Sequence, residues 1–337
     1  MPQSFFMRSG LGRSPKASAL LCATALLALA PLSATLADNF PSKPVRLVVP
    51  FSAGGTMDTF GRLVASEMSK TLGQNVVVEN IGGAGGSIAS NNVARATPDG
   101  YTLCFCATGS TVILPLLDPK LPYKVPQDLA PVGHVLRIEQ TIVANAENGP
   151  QSLQELVAKA QAEPGGLFYG TPGNGTSNHL AGELFKQVSG TDIVTVHYKG
   201  ESPALLDLLS NRSDFMVASV SFADPHVKGG KLRILALTGP ERLAVYPDIP
   251  TIAESGYPGY EATTQVGLHV AGGTPPERIE KLNVALNQAL QSPELRERMA
   301  ASGVTPTGGS VQDYANFLVE ENSKWTDVIE KANLRLE

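Results

Sequence analysis

Short apolar runs alternate with stretches of helical spacing along most of the chain. The run Val45–Val49 is largely branched, Pro50 ends it, and it predicts a buried strand. Ser52, Ala53, Gly54 and Gly55 make a small-residue loop, after which Phe60, Leu63, Val64, Met68 and Leu72 fall on one helical face. The design repeats with apolar residues 76–79, a glycine loop at 82–86 and a helix over 87–96. Pro98-Asp99-Gly100 predicts a turn before a strand over 101–106. Residues 115–131 carry Pro115, Pro119, Pro122, Pro126 and Pro131, and read as an ordered surface excursion rather than a helix.

Strand signals at 132–136 and 141–144 lead into a second block. Leu153, Leu156, Val157 and Ala160 share a helical face, residues 167–170 read as a strand, and 171–177 repeat the small-residue loop. The next helix has Leu180, Leu184, Phe185 and Val188 in register. It is followed by a strand over 193–196, the loop Tyr198-Lys199-Gly200, a helix through Leu205 and Leu209, and strands at 215–217 and 232–238. A strand at 266–270 and helices over 276–291, 293–302 and 311–332 close the chain. Strand, loop and helix in alternation mark an α/β sheet with largely parallel strands. Two such blocks without a flexible linker predict two α/β domains joined by crossing strands, with the helical tail packing back on the first.

Composition adds an address. Arg8, Arg13 and Lys16 precede an apolar run over 17–30 that is short for a membrane span, and small residues follow. Residues 1–37 therefore read as a signal peptide cleaved after Ala37, which places the mature protein in the periplasm. The full chain has net charge −5, and losing those three basic residues takes it to −8. That balance argues against nucleic acid or an anionic membrane surface as a partner. Cys104 and Cys106, two apart in a strand, read as buried thiols, awkwardly placed for a mutual disulfide.

The glycine-rich loops fit no nucleotide fingerprint: Gly83-Ala84-Gly85 ends at Ile88, Gly173-Asn174-Gly175 ends at Asn178, and no G-x-x-x-x-G-K-[ST] occurs. Gly175-Thr176-Ser177-Asn178-His179 has a histidine where a nucleophile elbow needs a small residue, and the five histidines form no ligand pair. Catalytic residues, metal and cofactor are accordingly all expected to be none. Anion capture remains. Backbone N–H groups at the start of a helix, with the hydroxyls of Thr171, Thr176 and Ser177 beside them, can hold a carboxylate. An N-cap role for Thr176 or Ser177 coexists with that reading. His179 packs behind the loop or touches the ligand, and Lys199 is a cleft cation or a solvated surface residue. Asp58, in the first turn of a helix, must point away, be neutralised or meet a positive group on the ligand. Trp325 reads as a packing anchor.

The residues also resemble the Bug family of periplasmic binding proteins, the receptors of tripartite tricarboxylate transporters. The phrases that carry the likeness run almost end to end: PSKPVRLVVPFSAGGTMD, LGQNVVVEN, ATPDGYTL, LPYKVPQDLAPV, YGTPGNGTSNHLAGELF, YKGESPALLDLL, GGKLRILALT, YPDIPTIAESGYPGYE, GTPPERIEKLN and KWTDVIEKA. The resemblance implies a type II-like binding protein: a first domain of residues 38–138 plus 264–337, and a second of 139–263, closing on a small organic acid. The ligand would be a di- or tricarboxylate, an aromatic carboxylate or an acidic amino acid, with a weak preference for a dicarboxylate if Lys199 meets a second carboxylate. Its contacts would come from Phe51, Ser52, Ala53, Gly54, Gly55, Thr56 and Asp58, and from Gly83, Ala84 and Thr108. The facing loops would add Thr171, Gly173, Thr176, Ser177, Asn178, His179, Tyr198 and Lys199. The partners implied are that ligand and the membrane subunits of a transporter, with the receptor a monomer. A sensory receptor of the same fold and an exported enzyme acting on an organic acid stand as alternatives. The chain departs from the family pattern at Ile81-Gly82, at Gln265 and Val266, and at His197.

Overall fold

The computed structural model describes residues 1–5, 7, 10 and 39–332. The core of the expected signal peptide and its cleavage point lie outside the described residues, and the compact unit described below begins at Phe40.

Two mixed sheets carry the fold. In the first, β1 (Val45–Val49) runs parallel to β2 (Val76–Asn80) on one side and to β3 (Thr102–Ala107) on the other. Beyond β3, β4 (Leu129–Ile138) and β11 (Val304–Pro306) join through β10 (Thr264–Ala271), in the order β11-β4-β10-β3-β1-β2. In the second sheet β6 (Phe168–Thr171) runs parallel to β7 (Val194–His197) and β8 (Phe215–Ser219). β5 (Gln140–Asn145) lies antiparallel to β8 and to β9 (Leu232–Leu237).

The largely parallel sheets expected from the alternation are parallel only in part. β10 is antiparallel to both β3 and β4, and β11 to β4. The chain leaves the first sheet at Ile138, enters the second at Gln140 and returns at Thr264. Strands that carry it out and back enter each sheet against the direction of the strand–helix units.

Helix α1 (Thr56–Leu72) buries Phe60, Val64 and Met68 on the first sheet. Gly61 lets it come close, because a Cβ there would stand 2.9 Å from a Val49 methyl. Helix α2 (Ser87–Ala94) covers the other face with Ala89 and Val93. The proline-rich excursion begins with a π-turn at Gly109–Ile113 and the short α3 (Leu114–Leu117). Pro115 follows directly on the π-turn, and the Ser110 carbonyl in that turn accepts the Tyr123 hydroxyl at 2.6 Å.

Helices α4 (Leu153–Ala162) and α5 (Ser177–Ser189) pack Leu156 and Phe185 with Tyr169 and Phe215 of the second sheet. Helices α6 (Glu201–Leu209) and α7 (Val220–Lys228) cover its opposite face with Leu205, Leu208 and Phe222. Each large apolar side chain so buried contributes about 1.5–3 kcal/mol. Helix α7 was not foreseen, because it is short and Pro225 interrupts its pattern. The tail helices α8 (Pro276–Ala289) and α9 (Pro293–Ala301) add Leu282, Leu286 and Leu295 to the first core. On α10 (Val311–Ala332), Trp325 is 2% exposed and donates to Glu321 at 3.0 Å, an anchor as expected.

Cys104 and Cys106 are joined by a disulfide, which corrects the thiol reading. Their Cα atoms are 5.2 Å apart, close enough for a bridge between neighbours on one strand face.

Candidate functional site

A closed cleft lies where the two sheets meet. The first domain brings the β1–α1 loop and the turns after β2 and β3; the second brings the β6–α5 loop and the starts of α6 and α7. The cavity is lined by Phe51, Ser52, Gly55, Thr56, Met57, Gly85, Ala107, Gly109, Ile138, Pro172, Thr176, Ser177, Asn178, Glu201, Ser219 and Thr264. Its volume is about 30 Å³.

Direct contacts hold the cleft shut. The Ser52 N–H and hydroxyl donate to the Lys199 carbonyl at 3.4 and 2.5 Å. The Thr56 N–H donates to Glu201 at 3.2 Å, and the Thr56 and Ser221 hydroxyls are 3.0 Å apart. Gly85, at φ +60°, abuts the backbone of Asn174 so closely that a Cβ would collide with its carbonyl oxygen. At Gly109 a Cβ would lie 2.9 Å from the Gly175 carbonyl oxygen.

The β6–α5 loop is braced from behind. Thr176 caps α5 by accepting the His179 N–H at 3.1 Å, and its hydroxyl donates to the Gly173 carbonyl at 2.8 Å. Thr171 adds a hydroxyl contact to Thr176 at 3.3 Å. His179 Nδ1 accepts the Gly175 N–H at 3.1 Å, and burial pushes this imidazole down to about 4, which keeps it neutral and able to accept. Asn178 donates to the Val217 carbonyl at 3.2 Å. Ser177 is 2% exposed, lines the cavity, and its hydroxyl has no hydrogen-bond partner among the described residues. It stands at the start of α5, and a helix start that lines a cavity is a place where an anion can be received.

Of the residues expected to touch a ligand, Phe51, Ser52, Gly55, Thr56, Thr176, Ser177 and Asn178 line the cavity. The others stand beside or behind it. Ala53, Gly54 and Ala84 are exposed, and Gly83 holds φ +125° in the turn ahead of Gly85. Thr108 is occupied by the backbone of Gln265 at 2.9 and 3.1 Å. Thr171, Gly173 and His179 brace the loop. Tyr198 donates to Asp207 at 2.6 Å, while the Lys199 side chain is exposed and only its carbonyl faces the other domain. The dicarboxylate preference that rested on the Lys199 ammonium therefore loses its support.

Asp58 turns away from the cavity. One carboxylate oxygen accepts the Gly54 N–H at 3.0 Å, and the other meets Asn80 at 3.0 Å and Arg62 at 2.8 Å. Burial works against its charged form, but the contacts from Arg62, Gly54 and Asn80 outweigh it and hold the carboxyl below its usual range. Gln265, a departure from the family pattern, also lies outside the lining: it bonds His134 and Thr263, each at 3.2 Å.

Glu201 was missed. A glutamate opening a helix reads locally as a dipole-favoured residue, and nothing in the spacing signals that it reaches Thr56, 145 residues earlier. No lysine, arginine or histidine is among the described residues lining the cavity, and among the described residues no group of His, Cys, Asp or Glu could hold a metal ion.

Comparison with known proteins agrees with this architecture. Residues 60–334 match the family described as the tripartite tricarboxylate transporter family receptor. The solved periplasmic binding protein BugD superimposes with a TM-score of 0.85 at 32% identity, covering 88% of this chain and 100% of that one. Rpa4515 of R. palustris, solved with adipate, gives 0.84 at 33% identity, covering 88% of this chain and 99% of that one. MatC (Rpa3494) from Rhodopseudomonas palustris, solved with bound malate, gives 0.82 at 33% identity, covering 86% of this chain and all 100% of that one. With two α/β domains meeting at a cleft walled by helix starts, and with matches running through nearly the whole compact unit, this chain belongs to the tripartite tricarboxylate transporter receptor family.

Proposed function

We propose that this protein captures a small organic carboxylate between its two domains in the periplasm and passes it to the membrane subunits of a tripartite transporter. The observation that carries the reading is the start of α5, where Thr176, Ser177 and Asn178 line the cleft and the buried hydroxyl of Ser177 has no partner among the described residues. The adipate and malate bound by two relatives agree with it in chemical class. The domains are residues 38–138 with 264–337, and 139–263; the crossings at Glu139 and Thr263 form the hinge through which ligand gains entry. The protein acts as a monomer that binds without catalysis. The acidic balance of the chain speaks against a nucleic acid as partner.

The test is a thermal-shift screen of carboxylates, amino acids and sugars on purified protein. A carboxylate at 100 times its Kd should add about 2.7 kcal/mol to stability. Stabilisation confined to uncharged solutes would overturn the reading.

A further inference from the structure

Glu201 brings the protein's own carboxyl group into the cleft. Its Oε2 accepts the Thr56 N–H at 3.2 Å and its Oε1 accepts the Ser219 N–H at 2.6 Å. Thr56 opens α1 in one domain and Ser219 caps α7 in the other, while Glu201 itself opens α6. The starts of α1 and α7 thus converge on one carboxyl group carried by the start of α6, and both of its oxygens are matched to backbone donors. Such a place favours an anion through N–H groups that lack intrahelical partners and through the helix dipoles behind them. Glu201 is 8% exposed and lines the cavity. Burial pushes its carboxyl above the usual range, while the contacts from Ser219 and Thr56 act in the opposite direction. In either proton state the side chain fills the position.

The other wall is different. At the start of α5 the Ser177 hydroxyl is buried without a partner among the described residues. A ligand with one carboxylate finds donors there. A second carboxylate at the opposite end of the same ligand would have to displace Glu201 or lie against it, and no cation lines the cavity to offset that charge.

Resting on the reading that the cleft takes a carboxylate, we propose that Glu201 is a specificity-determining residue. It is a tethered carboxylate that fills the anion position at the starts of α1 and α7, and so restricts the ligand to small monocarboxylates held at the start of α5. The inference rests on the juxtaposition, across a single cleft, of a carboxyl group bonded at two helix starts and a buried hydroxyl without a partner among the described residues at a third.

The test is calorimetric titration with matched pairs, hexanoate against adipate and 2-hydroxybutyrate against malate, on the wild type, Glu201→Ala and Glu201→Gln. The wild type should bind the monocarboxylate of a pair at least tenfold more tightly than its dicarboxylate. Glu201→Ala vacates the position and should gain at least tenfold in dicarboxylate affinity. Glu201→Gln removes the charge but keeps the bulk, its amide accepting only one of the two N–H groups, and should still disfavour the dicarboxylate relative to Glu201→Ala. It also guards against a folding artefact, with circular dichroism confirming that both variants retain the native fold. A wild type that binds the dicarboxylate as tightly as its partner overturns the role of Glu201 and leaves the carboxylate reading standing. An unchanged preference in folded Glu201→Ala does the same. Failure of all four acids to bind any of the three proteins overturns the restriction to small monocarboxylates, and the carboxylate reading falls with it only if the thermal-shift screen also finds stabilisation by uncharged solutes alone.

Discussion

Asp58 shows how a residue that looks functional can be structural. Its carboxylate ties Gly54, Asn80 and Arg62 together and so sets the path of the loop that carries Ser52 and Thr56. Asp58→Asn puts an amide N–H against one of these donors. Hydrogen bonds to charged groups contribute about 1.5–3 kcal/mol, and urea unfolding should show a loss of that order. A variant as stable as the wild type would refute this account. Three buried histidines make a second prediction. Burial pushes His134 and His179 each down to about 4 and His269 to about 3. The unfolded chain takes up protons below about pH 6.5 while these folded imidazoles stay neutral, so their contribution to stability falls as pH drops from about 6.5 toward those values. His269 is fully buried, so His269→Gln should shrink the stability gap between pH 7 and pH 5 by about 2 kcal/mol. An unchanged gap, measured by urea unfolding at the two pH values, would mean that this imidazole is protonated when folded.

The cleft is made of helix starts. The N-termini of α1, α5, α6 and α7 reach it, and each leaves N–H groups that the helix itself does not use. Their roles divide according to what the neighbouring chain supplies. Glu201 fills the N–H groups at α1 and α7, Thr176 takes one at α5, and Ser177 stands by the rest. Glycine decides how closely these elements approach. At Gly85 a Cβ would collide with the Asn174 carbonyl, and its φ of +60° costs a non-glycine residue about 1–2 kcal/mol. Gly85→Ala should therefore fold with a small loss of stability but resist closure. Small-angle scattering should show it more extended than the wild type under the same ligand, with affinity at least tenfold weaker. Identical scattering and affinity would show that closure does not depend on this contact.

Across the whole molecule, local periodicity was a good guide wherever structure is local. The run Val45–Val49 is a buried strand because Val45, Leu47, Val48 and Val49 are apolar and mostly branched, with Arg46 alone reaching outward to Glu79, and Phe60, Val64 and Met68 mark a buried helical face through their spacing. The small-residue loops were visible for the same reason: glycine, serine and threonine between a strand and a helix describe a helix start open to an anion. Thus most of the elements, the two α/β blocks and the β1–α1 and β6–α5 loops of the cleft could be read from the chain alone, whereas the short α7 and β11 could not. Strand direction could not, because a return strand such as β10 has the same composition whichever way it runs, and its antiparallel pairing follows from where the chain came from. Asp58 and Lys199 could not be assigned either. One is turned aside by Asn80, 22 residues away, and the other is swung out so that only its carbonyl meets Ser52. Glu201 is the clearest case. In the sequence it is an acidic residue opening a helix, stable through the dipole alone. Only folding brings the donors of Thr56 and Ser219 from two other helices onto its carboxylate, since hydrogen bonds depend on distance in space and not on separation along the chain.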